Sequence, residues 1–190
     1  MNDQRQEIFL LEVEKQCKYA LIAADDLKRA LKTQDLDRLW YSLHSFLVAV
    51  GNISKLLWPS RPKMPRKAKI RSKPQVPNRG GELRAHLSVP ADSPLAARTF
   101  RDHFEHFDER LEAWAMQARP GPFVDSCVGP PEQFFAGLTA KDFLRHFDPR
   151  TYTLTFRGEV YHLLPIIEAV RGLYRKLMEA GPRRRKRAGP

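Results

Sequence analysis

The first proline of this chain is Pro59, and the residues before it contain a single glycine, Gly51. Apolar side chains recur through that stretch at spacings of three and four, the repeat of an α-helix. Ile8, Leu11, Cys17, Leu21, Ala24, Leu27 and Leu31 form such a stripe across residues 4–32. Thr33-Gln-Asp-Leu-Asp37 interrupts it with a polar break and a capping opportunity. A second stripe follows from Leu36 through Leu39, Trp40, Leu43, Phe46, Leu47, Val50, Ile53 and Leu57. Two long helices joined by so short a connection must run antiparallel. Gly51 weakens the second helix slightly but permits close helix approach.

Pro59 ends the second helix, and residues 59–92 hold six prolines with few large apolar side chains. Such a stretch cannot bury enough surface to offset its ordering entropy, so it is expected to be a flexible loop. Ser93-Pro94 offers an N-cap followed by proline at the first helical position. A third helix is expected from there to about Ala118, with Phe100, Phe104, Phe107, Leu111 and Trp114 as its core stripe. Residues 123–150 are less regular, with one short helical turn expected between Ala140 and Phe147. Thr151–Phe156 alternates and is rich in β-branched and aromatic residues. Arg157-Gly158 supplies a turn, and Glu159–Leu163 returns as the second arm of a β-hairpin. A fourth helix, Ile166 to Ala180, carries Ile167, Val170, Leu173, Tyr174 and Leu177, and Gly181-Pro182 should end it.

The expected fold is therefore mainly α: an up-and-down bundle of four helices with a small β-hairpin before the last. One domain spans residues 1–182, interrupted by the Pro-rich loop 59–92 and followed by a tail at 183–190.

The formal charge of +11 is concentrated in two places. Residues 61–84 hold nine Lys/Arg against one Glu, and residues 183–187 are five consecutive cations. The rest of the chain is close to neutral. Basic segments of this kind bind polyanions without reading sequence, in a salt-sensitive way. Arg66, Lys67, Lys69, Arg71 and Lys73 of the loop, with Arg183, Arg184, Arg185, Lys186 and Arg187 of the tail, are the candidate nucleic-acid contacts. The same charge could serve solubility alone.

The densest chemistry lies on the third helix, in Arg98-Thr-Phe-Arg-Asp-His-Phe-Glu-His-Phe-Asp-Glu-Arg110. Asp102 and His106 are four residues apart and share an outer strip, with Glu109 beside them. A carboxylate bonded to one ring nitrogen fixes the tautomer and leaves the other nitrogen for proton transfer. His103 lies nearer the core edge and reads as a packing histidine. The competing account is an exposed charged helix face, with pairs at i,i+4 worth a few tenths of a kcal/mol.

Arg101-Asp102-His103-Phe104-Glu105-His106 resembles the Arg-polar-x-x-x-His motif of HEPN domains, which are helical bundles with the motif on a later helix. Many members of that family are metal-independent ribonucleases of toxin, defence or RNA-processing type. They usually act as dimers in which two motif helices form one composite site. The resemblance implies that Arg101 binds and polarises a phosphate, that His106 is the general acid/base, and that Asp102 orients them. It implies RNA as substrate and a homodimer. The family often has asparagine where Asp102 stands, and Arg98 with His103 satisfies the same bare spacing.

Other chemistries find little support. His44, His86, His103, His106, His146 and His162 show no helix-borne metal spacing, and Gly80-Gly81 lacks the surroundings of a phosphate-binding loop, so neither metal nor cofactor is expected. Cys17 and Cys127 are isolated and suit a reducing, cytoplasmic setting. No apolar run reaches the length of a membrane span, and the polar N-terminus lacks the apolar run of a signal peptide. A non-catalytic helical protein that binds a protein partner, with its basic segments on a polyanion, is the alternative function.

Overall fold

The computed structural model describes residues 3–59, 78–97, 106–117, 124–134 and 142–187. The chain is mainly helical, with a small four-stranded sheet towards its C-terminal end.

Helix α1 (Asp3–Thr33) and helix α2 (Leu36–Leu57) form the antiparallel pair expected from their stripes. The turn between them places Gln34 at φ +55°, and the Asp35 amide donates back to the Ala30 carbonyl at 3.1 Å. This is the six-to-one bond of a Schellman C-cap. Asp35 then caps α2, its carboxylate accepting from the Arg38 amide at 2.9 Å. The two helices meet through small residues, including Ala20, Ala23, Ala30, Ser42 and Ala49, all buried.

The buried side of α1 is set by Leu10, Val13, Cys17, Ala20, Ala24 and Leu27. Ile8 and Leu11, expected in that stripe, instead face outwards. The helical period leaves them on the strip opposite Val13 and Ala20.

Residues 59–92 are not loop throughout. Helix α3 (Arg79–His86) starts at Asn78, whose side chain accepts from the Gly81 amide at 3.1 Å. It lies across the C-terminal end of α2. Leu83 is fully buried, Arg79 donates to the Lys55 carbonyl at 3.2 Å, and Arg84 donates to that of Leu57. Gly80 makes this approach possible, because a Cβ there would run into the Leu57 carbonyl oxygen and the Pro59 ring. A polar, glycine-containing octapeptide is helical here because tertiary contacts outweigh its weak propensity.

Ser93-Pro94 does open a helical turn, with Ser93 accepting from the Leu95 amide. That turn is a 3-10 segment, Pro94–Ala96, and it stops at Ala97, whose ψ of 118° is extended. One continuous third helix from Pro94 is thereby ruled out. Helix α4 (Phe107–Gln117) is its later part. Phe100 and Phe104 lie outside the described residues. Trp114 is buried and Phe107 packs on the core, whereas Leu111 is substantially exposed, so α4 buries a narrower face than expected.

The hairpin is present as β3 (Thr153–Phe156) and β4 (Glu159–His162). Arg157 and Gly158 both have positive φ, as a two-residue type I′ turn requires. Two further strands extend it: β1 (Cys127–Val128) and β2 (Arg145–Asp148), in the order β1-β2-β3-β4. The first pair is parallel and the others antiparallel. Residues 145–147 are thus strand, and the helical turn expected up to Phe147 is wrong. Pairing with β1 and β3 supplies hydrogen bonds that no local pattern announces. Phe147 opposes Leu154 and Leu154 opposes Tyr161, one apolar row across the sheet.

Helix α5 (Leu163–Arg187) begins three residues before the expected start and contains Pro165 in its first turn, where a missing amide costs little. Leu163, Ile166, Ile167, Val170, Leu173 and Leu177 are buried, and α5 packs against α1. Gly181-Pro182 does not end it. An internal proline removes one hydrogen bond and bends a helix, and here the helical path continues into the basic run.

Candidate functional site

His106 immediately precedes α4, and its carbonyl accepts the Arg110 amide at 3.0 Å, the first bond of that helix. The next residue fixes the position. The Phe107 ring lies 6.4 Å from that of Phe156 and 5.7 Å from the Arg145 guanidinium carbon. Further along α4, the Trp114 indole donates to the Asp142 carbonyl at 3.2 Å. Arg157 of the hairpin turn donates to the Arg110 carbonyl at 3.0 Å. The sheet therefore holds α4 and, with it, His106. The imidazole itself is half exposed, with Nδ1 3.4 Å from a Glu109 carboxylate oxygen.

Arg101 and Asp102 lie outside the described residues, as do Arg66, Lys67, Lys69, Arg71 and Lys73. Arg183, Arg184, Arg185, Lys186 and Arg187 form the last turns of α5. Among the described residues, then, His106 has Glu109 beside it, one turn after the histidine, where Asp102 precedes it by one turn.

A second cluster, beside Phe107, escaped the sequence reading. Arg145 on β2 grips the Asp125 carboxylate with two donors, Nε to Oδ1 at 2.8 Å and Nη2 to Oδ2. Its guanidinium lies 5.8 Å from the centre of the Trp40 ring and 5.7 Å from that of Phe107. Trp40 donates through its indole N–H to the Ser126 carbonyl at 3.0 Å. Ser126 is held at φ +56°, an uncommon backbone for a serine. Trp40, His44, Arg145, Leu154 and Phe156 line a small cleft of about 20 Å³, room for a water or two.

The electrostatics of this cluster follow from its geometry. Burial pushes the Asp125 carboxyl up, but the hydrogen bonds and charge of Arg145, with hydrogen bonds from Ser126, outweigh it and hold the group below its ordinary range. Burial, then the nearby Arg145 charge, lowers the His44 pKa. Arg145 is neutralised in place by Asp125, and an incoming anion would have to compete for it. The arrangement braces α2, α4 and the sheet. Asp125 and Arg145 are twenty residues apart, and no spacing rule joins them.

The other polar residues of the sheet are structural. His146 is almost fully buried, with Nε2 2.8 Å from the Gly129 carbonyl oxygen and its ring against Phe134 and Phe143. Asp148 accepts from the Arg150 amide at 2.9 Å, and the Arg150 side chain bridges Asp148 and Glu132. The tripeptide His-Phe-Asp thus occurs twice with different fates, its two polar residues exposed at the start of α4 and all three residues buried in β2. Cys17 is a buried thiol whose pKa burial, with the Glu14 charge, pushes up to about 12, and Cys127 is likewise raised, so neither is an activated nucleophile. Among the described residues no group of three His, Cys, Asp or Glu is placed to hold a metal ion, and no helix is long and apolar enough to cross a membrane.

Compared with known proteins, the chain matches no family model, no curated protein and no solved structure.

Proposed function

We propose that this chain is a HEPN-like RNA-binding protein and a metal-independent endoribonuclease, of toxin, defence or RNA-processing type. In this reading α1, α2, α4 and α5 are the four principal helices of a HEPN-like bundle, and residues 101–106 are the motif. His106 transfers the proton at the RNA 2′-hydroxyl or the leaving oxygen. Arg101 holds the phosphate, and Asp102 helps to orient the pair. The observation that carries the reading is the setting of His106. It is an accessible imidazole on a helix start anchored by Phe107, with a carboxylate facing Nδ1 at 3.4 Å. A carboxylate on Nδ1 directs proton exchange to Nε2. The reading also takes the active unit to be a homodimer, and the basic residues of 66–73 and 183–187 to hold the RNA backbone.

The test is cleavage of mixed RNAs by the purified protein in EDTA, beside an Arg101→Ala/His106→Ala double variant of verified fold. Cleavage by the wild type alone supports the reading. Equal cleavage by both, or by neither, counts against it.

One observation favours a second reading, a non-catalytic interaction protein. His106 and Glu109 are both exposed and spaced i,i+3, the ordinary geometry of a solvated helix face. On this reading His106→Ala would leave RNA and partner binding unchanged.

A further inference from the structure

A surface helix of a globular protein has one apolar stripe, which faces the core. Helix α1 has two. Opposite its buried stripe it exposes Ile8, Leu11, Tyr19 and Ile22, and α2 exposes Tyr41 and Val48. The exposures lie between 42 and 63 %.

These six residues belong to one face of the helical pair. Gln16 and Asn52 touch across it, amide to amide, at 3.2 Å. One turn along α1 from Gln16 is Tyr19, and one more is Ile22. One turn back along α2 from Asn52 is Val48, and two further turns reach Tyr41. Ile8 and Leu11 continue the α1 row in the other direction.

We infer that this outer face of α1 and α2 is the surface on which a second copy of the chain docks, two helical pairs meeting as a four-helix bundle. Three observations select that occupant. The six side chains open on the order of 600 Å², close to the roughly 800 Å² per partner of a standard interface and at the upper limit of patches that monomers leave open. The charges among them are largely paired within the chain, Glu12 with Lys15 at 3.4 Å, and Asp26 with both Arg29 and Arg38, which leaves an excess of one cation. A face this close to neutral meets its own copy with little like-charge penalty, whereas a polyanion or an anionic bilayer would call for a larger excess of cations there. Finally, two helices carrying inner and outer apolar stripes form half of a two-layer bundle, and an identical pair completes it.

The surface contains no residue of α4, so this contact between copies is separate from the composite site of the proposed function, and it stands on packing and charge alone. Sedimentation velocity of the full chain, from micromolar to hundred-micromolar concentration, tests it. The wild type should reach twice the monomer mass. Ile22→Glu and Val48→Glu should each weaken association about tenfold or more, while Met178→Glu, on an exposed site of α5, should not. Hydrogen exchange on the wild type, dilute against concentrated, reads the same face without any substitution and should show added protection in α1 and α2. A wild type monomeric at every concentration, or a dimer indifferent to both face variants, or one lost only with Met178→Glu, overturns the inference. A monomer that cleaves RNA would sink the dimer and leave the chemistry standing; a dimer without cleavage would do the reverse.

Discussion

Asp125 and Arg145 show how a single pair can couple three elements. The guanidinium is doubly bonded to the carboxylate and flanked by aromatic rings from α2 and α4. Because the folded carboxyl has a lowered pKa, its contribution is complete above the unfolded value of about 3.9 and is lost as pH falls through the lower folded value. Asp125→Asn should cost about 2 kcal/mol at neutral pH, and urea melts should show less further loss below about pH 4 than in the wild type. His44 gives a second, separate signature. Its folded pKa is also depressed, so the folded state binds fewer protons as the pH drops below about 6.5. Wild-type stability should therefore decline between about pH 7 and pH 5, and His44→Gln should flatten that decline. If the two slopes coincide, the cleft does not hold His44 neutral.

At the scale of elements, two glycines make opposite predictions. Gly80→Ala drives a methyl into the α2 terminus and should lower stability by about 1–3 kcal/mol. Gly172 lies inside α5 with nothing within 4 Å of an added Cβ, so Gly172→Ala should raise stability by about 0.5–1 kcal/mol. Thermal melts of the pair would check both signs at once. The same contrast separates what could be read in the sequence from what could not. Helices α1 and α2 were legible because long local stripes encode them, and the hairpin because Arg157-Gly158 sits between alternating strands. Helix α3 was hidden, since its stability comes from Leu57 and Lys55 rather than from its own polar residues. Strand β2 was hidden too: Arg-His-Phe-Asp has no strand alternation of polarity, because both faces are buried and its polar groups are satisfied by distant partners. Of the site, His106 was legible as a chemical group on a helix. Its Glu109 neighbour followed from the i,i+3 spacing, whereas the Arg145 brace depends on a register that spacing does not specify.

For the molecule as a whole, charge and fold are separable. The five cations at 183–187 extend α5 more than a turn beyond Leu177, the last buried residue among those whose burial is described. Deleting residues 183–190 should leave the melting temperature nearly unchanged. It should reduce the slope of log affinity for single-stranded RNA against log salt by about 3.5, five phosphate contacts at roughly 0.7 each. Titration of a labelled oligonucleotide at several salt concentrations measures this; an unchanged slope would mean that the end of α5 does not touch the backbone.

Helix α3 has a topological consequence. Pro59 and Asn78 flank residues 60–77 in the sequence, and Gly80, Arg79 and Arg84 fasten the start of α3 to the very end of α2. The two described ends on either side of that cation-rich segment share one clasp. A tryptic cut between them would sever the chain without parting the molecule, because each fragment keeps its own side of the clasp. With its ends held together in this way, a change in the length of the sequence between them alters the entropy of loop closure only slowly.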